Sequence, residues 1–414
     1  MAVTGLGMVT PAGTGTGATW AGVCEGVPRA ATDPVLRGLP VDFSCAVPEW
    51  DGDRALGRRL ARRLDRAAQM AVVAAREAVA DAGLGAELWD PVRVAVVIGS
   101  GSASFENLTP LYERLFAGQP ELVSPIVLPR SLPNSGAVEV ALDLGARGPA
   151  FAPAAACATG AVAVGLGLHL LRADACDIVL AGGTESGRVP AVAASFAQMG
   201  ALSRRTRDPG GASRPFDADR DGFVLGEGCG VLVLERLEHA RARRAPVRAL
   251  LAGYGLATEA YHVTAPHPEG RGLRQALEAA LADAGWEPGD VDHVNAHGTA
   301  TRLNDLTEAR ALAAVLPQVP PTTAAKGVLG HCLGAAGAIE AGLTVLALHH
   351  QSVPPTANLD RLDPDIDLDV VTKSCRALRM RTAVSDSVAF GGHNAVLAFE
   401  AVPGACAPTA RTSV

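Results

Sequence analysis

Three segments of this chain occur twice, in the same order. Residues 80–83 (ADAG) lead into the apolar run 92–98, and residues 282–285 (ADAG) lead into 291–296. The run CATGAVAVG from Cys157 matches CLGAAGAIEAG from Cys332. The run GEGCGVLVLE ending at Glu235 matches GGHNAVLAFE ending at Glu400. Such a repeat requires one α/β unit built twice. The boundary falls in the charged stretch 238–248, giving halves 1–240 and 241–414. Within the first half, apolar periodicity predicts strands over 3–6, 92–98 and 178–181 and helices over 64–82 and 157–172. That alternation predicts parallel strands joined by right-handed crossovers.

The composition narrows the core and the function. Of 414 residues 48% are hydrophobic, but only 4% are aromatic and 46 are Gly. The core must therefore pack Ala, Val and Leu with backbones close together. No run reaches the ~18 apolar residues of a membrane span, and the N-terminus has no secretory pattern, so the expected location is cytoplasmic. Eight scattered cysteines without a CxxC pair predict free thiols and no structural zinc. A net charge of −7 argues against nucleic-acid binding. Gly99-Ser100-Gly101 and Gly5-Leu6-Gly7 lack the third glycine of a dinucleotide fingerprint, and no P-loop is present. That argues against a dehydrogenase.

Chemistry concentrates in turns that follow strands, where α/β folds bind ligands. Cys157 sits among small residues, Ala154-Ala155-Ala156 before it and Ala158-Thr159-Gly160 after it, at the start of a helix. The helix N-terminus favours a thiolate there, which makes Cys157 a candidate nucleophile. His297 lies in NAHGTAT with Thr299 and Thr301, His331 in KGVLGH, and His393 in FGGHN. One glycine-flanked polar turn is weak evidence; four in a duplicated fold are strong evidence. Cys176, Cys229, Cys332 and Cys375 are expected to be buried thiols, and His239, His349 and His350 ordinary structural histidines.

With these motifs the chain resembles the β-ketoacyl synthases of the thiolase superfamily, from VTGLG at 3–7 to FGGHN at 390–394, with DGFVLGEG at 221–228 between. The likeness is to elongating, decarboxylating synthases with two histidines. Initiating synthases use Cys-His-Asn, and thiolases pair one His with a second Cys. The resemblance implies a thiolase-like fold, duplicated βαβαβ halves in a layered αβαβα arrangement, and no cofactor, the substrates being carried on the phosphopantetheine of acyl carrier protein. Cys157 would take the acyl chain. His297 and His331 would stabilise the enolate left by decarboxylation of a malonyl thioester. The N–H groups of Cys157 and Phe390 would form the oxyanion hole. Lys326, with Glu308 as its carboxylate partner, would order the His331 region. Thr299 and Thr301 would hold the pantetheine arm, and Phe390 with Gly391 and Gly392 would gate the acyl chain.

An acidic carrier needs a basic mouth. Arg62, Arg63 and Arg66 on a helix, and Arg204, Arg205 and Arg207 in a loop, are the candidate patches. The family implies a dimer, either a homodimer or a heterodimer with a chain-length factor. Three positions depart from the family. Ala155 replaces a frequent Thr, Asn304 a frequent Gly, and Ser102 lies where fatty-acid synthases often carry Ile along the acyl pocket. The smaller, polar Ser102, with the Arg-heavy composition, favours type II polyketide synthesis over housekeeping fatty-acid elongation. A non-catalytic chain-length factor usually loses the cysteine, so Cys157 with both histidines argues for an active ketosynthase.

Overall fold

In each half, five strands line up in one and the same spatial order. In chain order the first half has Ala2–Thr10, Val94–Gly99, Ala150–Phe151, Ile178–Ser186 and Glu227–Glu235; the second has Ala249–Thr258, Val294–Asn295, Thr322–Thr323, Thr382–Ala389 and His393–Glu400. Both sets pair in the order third, second, fourth, fifth, first. The two first strands touch at Ala2↔Leu250 and Val3↔Ala249. The computed structural model describes residues 1–85, 89–102 and 105–402. Ala103 and Ser104, next to the incomplete glycine motif, and residues 403–414 of the C-terminal half lie outside the described residues.

The expected all-parallel sheet is corrected. The second strand of each half pairs parallel with the third and fourth, but the fourth pairs antiparallel with the fifth, and the fifth with the first. In the second half the reason is plain. Only Phe390–Gly392 joins the last two strands, and a parallel crossover needs a dozen residues or more. The predicted helix over 64–82 is Arg66–Asp81, and the run 291–296 forms only the short strand Val294–Asn295.

Three cores account for the layering. The central one holds the helices Thr159–Arg172 and Ala336–His350 between the two sets of strands. The second lies under Arg66–Asp81 and Ser135–Leu144, and the third under Arg271–Ala284 and Arg302–Val315. The order is therefore helix, sheet, helix, sheet, helix, as the resemblance implied.

Glycine makes the layers fit. A Cβ on Gly7 would lie 1.9 Å from the Ala74 carbonyl oxygen, and one on Gly255 would lie 1.9 Å from that of Ala276. The glycines of Gly5-Leu6-Gly7 thus let the first strand approach its helix, and the second half repeats the device. The central helices also meet at glycine: a Cβ on Gly160 would sit 2.5 Å from the Ala338 amide nitrogen.

The repeat also corrects the sequence alignment. Ala156 and Leu333 both have φ of +46° and open equivalent short turns, Ala156–Ala158 and Leu333–Ala335. Cys157 is therefore matched by Gly334, two residues beyond Cys332.

Candidate active site

The turn Ala156–Ala158 presents Cys157 at the head of Thr159–Arg172. The left-handed Ala156 before it sharpens the turn, and its small side chain tolerates that conformation at modest cost. Thr159 Oγ1 accepts from the Ala155 N–H at 2.9 Å and donates to the Ala156 carbonyl at 2.7 Å, which locks the turn.

Cys157, His297 and His331 line one cavity of about 330 Å3. His331 Nε2 lies 3.1 Å from Cys157 Sγ. The two imidazoles stand edge to face, 5.3 Å apart at 85°, and Phe223 packs against His331 at 5.3 Å. Among the described residues His331 Nδ1 has no hydrogen-bond partner. His297 is pinned. Lys326 Nζ donates to its Nδ1 at 3.2 Å and to its carbonyl at 2.6 Å, so the ring proton sits on Nε2. Burial, reinforced by the Lys326 charge, holds both histidines well below the usual range. At neutral pH they are neutral hydrogen-bonding groups and not cations.

The expected resting thiolate is corrected. Burial pushes the Cys157 thiol up to about 12; the Lys326 charge and the Phe390 N–H bond pull it down, while Glu185 and Glu340 push it up. One helix end does not offset that desolvation. The thiol is neutral at rest, and His331 is the imidazole in reach of its proton.

The expected pairing of Lys326 with Glu308 is also corrected. Lys326 pairs with Glu340, whose carboxyl is raised to about 7 by burial against the pull of the lysine. Sequence reasoning missed Glu340, although the signal was present: it is a single acid inside the otherwise buried, small-residue stretch of Ala336–His350. Glu308 instead accepts from the N–H groups of His297 at 2.6 Å and Gly298 at 2.9 Å, and from Asn304 Nδ2 at 2.9 Å. Asp386 accepts from the same His297 N–H at 3.0 Å. Burial and the charge of Asp386 raise Glu308 well above the carboxylate range, so the pair shares a proton beneath the His297 turn. Asn304, noted only as a departure, is part of this support.

Thr299 and Thr301 line the cavity with their hydroxyls 2.9 Å apart. Phe390 lines it too, packing against Phe196 at 6.2 Å. Gly391 and Gly392 act through backbone alone, with φ of +80° and +74°. Gly391 N–H donates to the Val263 carbonyl at 2.7 Å, and the Glu259 N–H donates to Gly392 at 2.9 Å.

Ser102 does not line this cavity; its hydroxyl donates to Glu185 at 2.6 Å. The first basic patch is corrected as well. Arg62 and Arg63 lie in a turn before the helix, and Arg66 forms a two-pronged bond at 2.6 Å with buried Glu227. Arg62 and Arg63 are exposed, the latter 3.5 Å from Glu139. Arg205 donates to the Asp219 carbonyl at 2.8 Å, near the cavity-lining Asp221. Among the described residues no three His, Cys, Asp or Glu side chains converge as metal ligands, and no helix is long and apolar enough to cross a membrane.

The chain as a whole is similar to known proteins. Residues 1–240 match the sequence family described as Beta-ketoacyl synthase, N-terminal domain, and 248–360 match Beta-ketoacyl synthase, C-terminal domain. A "3-oxoacyl-[acyl-carrier-protein] synthase 2" of Synechocystis sp. is 41% identical over 405 residues, 96% of this chain and 97% of that protein. The structure of the ishigamide ketosynthase/chain length factor matches with a TM-score of 0.90 at 37% identity, covering 97% of this chain and 98% of that one. The AntDE:AntF complex, a type II polyketide synthase acyl-carrier protein with its ketosynthase bound to the hexaketide, matches with a TM-score of 0.90 at 32% identity and the same coverage.

Proposed function

Because the chain belongs to the β-ketoacyl synthase family, we propose that it condenses an acyl group held on Cys157 with malonyl-acyl carrier protein, releasing CO2 and giving a 3-oxoacyl thioester. The observation that carries this reading is His331 Nε2 at 3.1 Å from Cys157 Sγ, in one cavity with His297.

The chemistry follows from the protonation states. An acyl-carrier thioester enters, and the neutral Cys157 thiol passes its proton to His331 as sulfur attacks the acyl carbon. Negative charge on the carbonyl oxygen is met by the N–H groups of Cys157 and Phe390. The carrier sulfur leaves with the proton returned by His331, so thiol is exchanged for thioester and charge balances. Malonyl carrier then binds. His297 offers Nε2–H to its thioester carbonyl because Lys326 occupies Nδ1. His331, whose Nδ1 has no partner among the described residues, offers the second donor. Loss of CO2 leaves an enolate that both donors stabilise. Its carbon attacks acyl-Cys157, and the expelled sulfur takes up a proton. Neutral imidazoles suit this step because they stabilise developing charge without forming an ion pair with the malonyl carboxylate, which would oppose its departure. Each step uses groups of the chain and its substrates, so the reading needs no cofactor.

The substrates are assigned to a type II polyketide system, supported by the likeness to the ketosynthase of the AntDE:AntF type II polyketide complex. Two partners follow. One is an acidic carrier protein at the cavity mouth, which exposed Leu303 and Met199 line together with Arg302. The other is a second ketosynthase-fold chain, identical or a chain-length factor, on the exposed apolar face that includes Phe116, Leu128 and Leu142. Intact mass after incubation with an acyl-carrier protein tests the reading. Wild type should gain the acyl mass and Cys157→Ala should not; no gain with any starter overturns the enzymatic reading.

A further inference from the structure

Glu185 ends the strand Ile178–Ser186 and is fully buried, yet it touches neither histidine. Its carboxylate gathers five donors. Oε1 accepts from the Ser102 hydroxyl at 2.6 Å and the Ser100 hydroxyl at 3.1 Å. Oε2 accepts from the N–H groups of Gly101 at 2.7 Å, Ser102 at 3.1 Å and Gly334 at 3.3 Å. Three segments are joined by this one group: its own strand, the loop after Val94–Gly99, and the turn Leu333–Ala335. Both tethered segments flank the nucleophile. A Cβ on Gly101 would lie 3.0 Å from the Ala156 carbonyl, and one on Gly160 would lie 3.1 Å from that of Gly334. A Cβ on Gly334 would strike the Gly101 amide nitrogen at 2.2 Å, so these backbones are in direct contact.

We propose that Glu185 is the positioning residue of the acyl-transfer step: it clamps the 100–102 loop and the Leu333–Ala335 turn around the Cys157 turn and sets a negative charge beside that turn. This rests on the ketosynthase reading for its substrate. Burial is the main cause that keeps the thiol protonated; the charges of Glu185 and Glu340 add to it, the Lys326 charge and the Phe390 N–H oppose it, and neutral His331 lies 3.1 Å from the sulfur. Glu185 thus adds to the protonation of the resting thiol while fixing the geometry in which it reacts.

Two substitutions separate the two effects. In Glu185→Gln the oxygen kept at the Oε2 position holds the three N–H donors. The new amide faces Ser100 and Ser102, whose hydroxyls can turn to accept. Geometry is retained and charge removed. Glu185→Ala removes both. The experiment measures iodoacetamide alkylation of Cys157 from pH 6 to 10 and single-turnover acylation from an acyl-carrier protein, each beside a melting curve. For Glu185→Gln the alkylation profile should move to lower pH, at least threefold faster at pH 8, with acylation within threefold of wild type. For Glu185→Ala acylation should fall at least 30-fold. If that variant does not fold, Ser100→Ala/Ser102→Ala, which removes two of the five bonds, should lower acylation at least fivefold with the alkylation profile unmoved. An unmoved profile in Glu185→Gln, or acylation within threefold in both clamp-breaking variants, overturns the proposal. Wild type that alkylates but never acylates refutes the ketosynthase reading instead, and the alkylation profiles still decide the charge effect.

Discussion

Removing His331 should damage a different step from removing His297. Burial pushes the Cys157 thiol up to about 12, so at pH 7.5 it is overwhelmingly protonated. Acylation at a useful rate then needs a base, and His331 Nε2 stands 3.1 Å from the sulfur. General-base assistance is typically worth about 10²–10⁴ in rate. His331→Ala should therefore slow acylation by that factor and also lose a donor to the enolate. His297 has no bond to Sγ; its role is the Nε2–H that Lys326 fixes. One such donor is worth about 3 kcal/mol, or roughly 10²-fold. His297→Ala should therefore slow decarboxylation of malonyl carrier about 10²-fold and leave acylation within a few-fold. Quenched-flow intact mass follows acylation, and CO2 release follows decarboxylation. Acylation in His331→Ala within tenfold of wild type would refute the proton-transfer role and point back to a thiolate at rest.

Three further outcomes follow from the geometry. Lys326→Met strips the charge from the buried Glu340 pair and releases the His297 ring; breaking a buried pair costs about 3–5 kcal/mol, here lessened because Glu340 can protonate, so the melting temperature should fall several degrees and decarboxylation should fall with it. Glu340 is raised to about 7, and Asp305 and Asp386 to about 6, by burial. A carboxyl raised on folding contributes stability that is full below its unfolded value near 4 and is lost as pH rises through its folded value, so calorimetry should show the melting temperature rising as pH is lowered from 8 to 5.5. The carboxylates held low, such as Asp177 at about 2, lose their contribution only below about pH 4. Gly7→Ala places a Cβ 1.9 Å from the Ala74 oxygen and should cost at least the ~1–3 kcal/mol of overpacking, seen as a lower urea midpoint.

Much of this was legible in the sequence because it depends on residue type at short range. The duplicated segments foretold two units of one topology, and the turns NAHGTAT and KGVLGH foretold the two imidazoles. What the sequence hid depends on distance through space. Nothing in the run around Lys326 says whether its charge faces Glu308 or Glu340, because the two acids lie on different helices and only tertiary packing decides between them. The strand directions were misread because alternation of strands and helices cannot register a three-residue return such as Phe390–Gly392. The state of Cys157 was misread because a helix N-terminus is visible in sequence, whereas burial by distant segments is not. Arg66 looked like a surface charge until Glu227, 161 residues away, came to meet it. Glu185 gave no signal at all, since its five donors come from two stretches of chain, 100–102 and Gly334, both distant from it in sequence.

The central claim is that two neutral imidazoles drive carbon–carbon bond formation at an acylated Cys157. The most direct measurement supplies pre-acylated enzyme with malonyl-carrier protein and weighs the carrier. Wild type should yield carrier bearing the acyl group lengthened by the two malonyl-derived carbons as a 3-oxo thioester, with Cys157 returned to free thiol, and His297→Ala should keep its acyl group. Acyl-enzyme that persists in wild type, or turns over equally well without His297, would contradict the account.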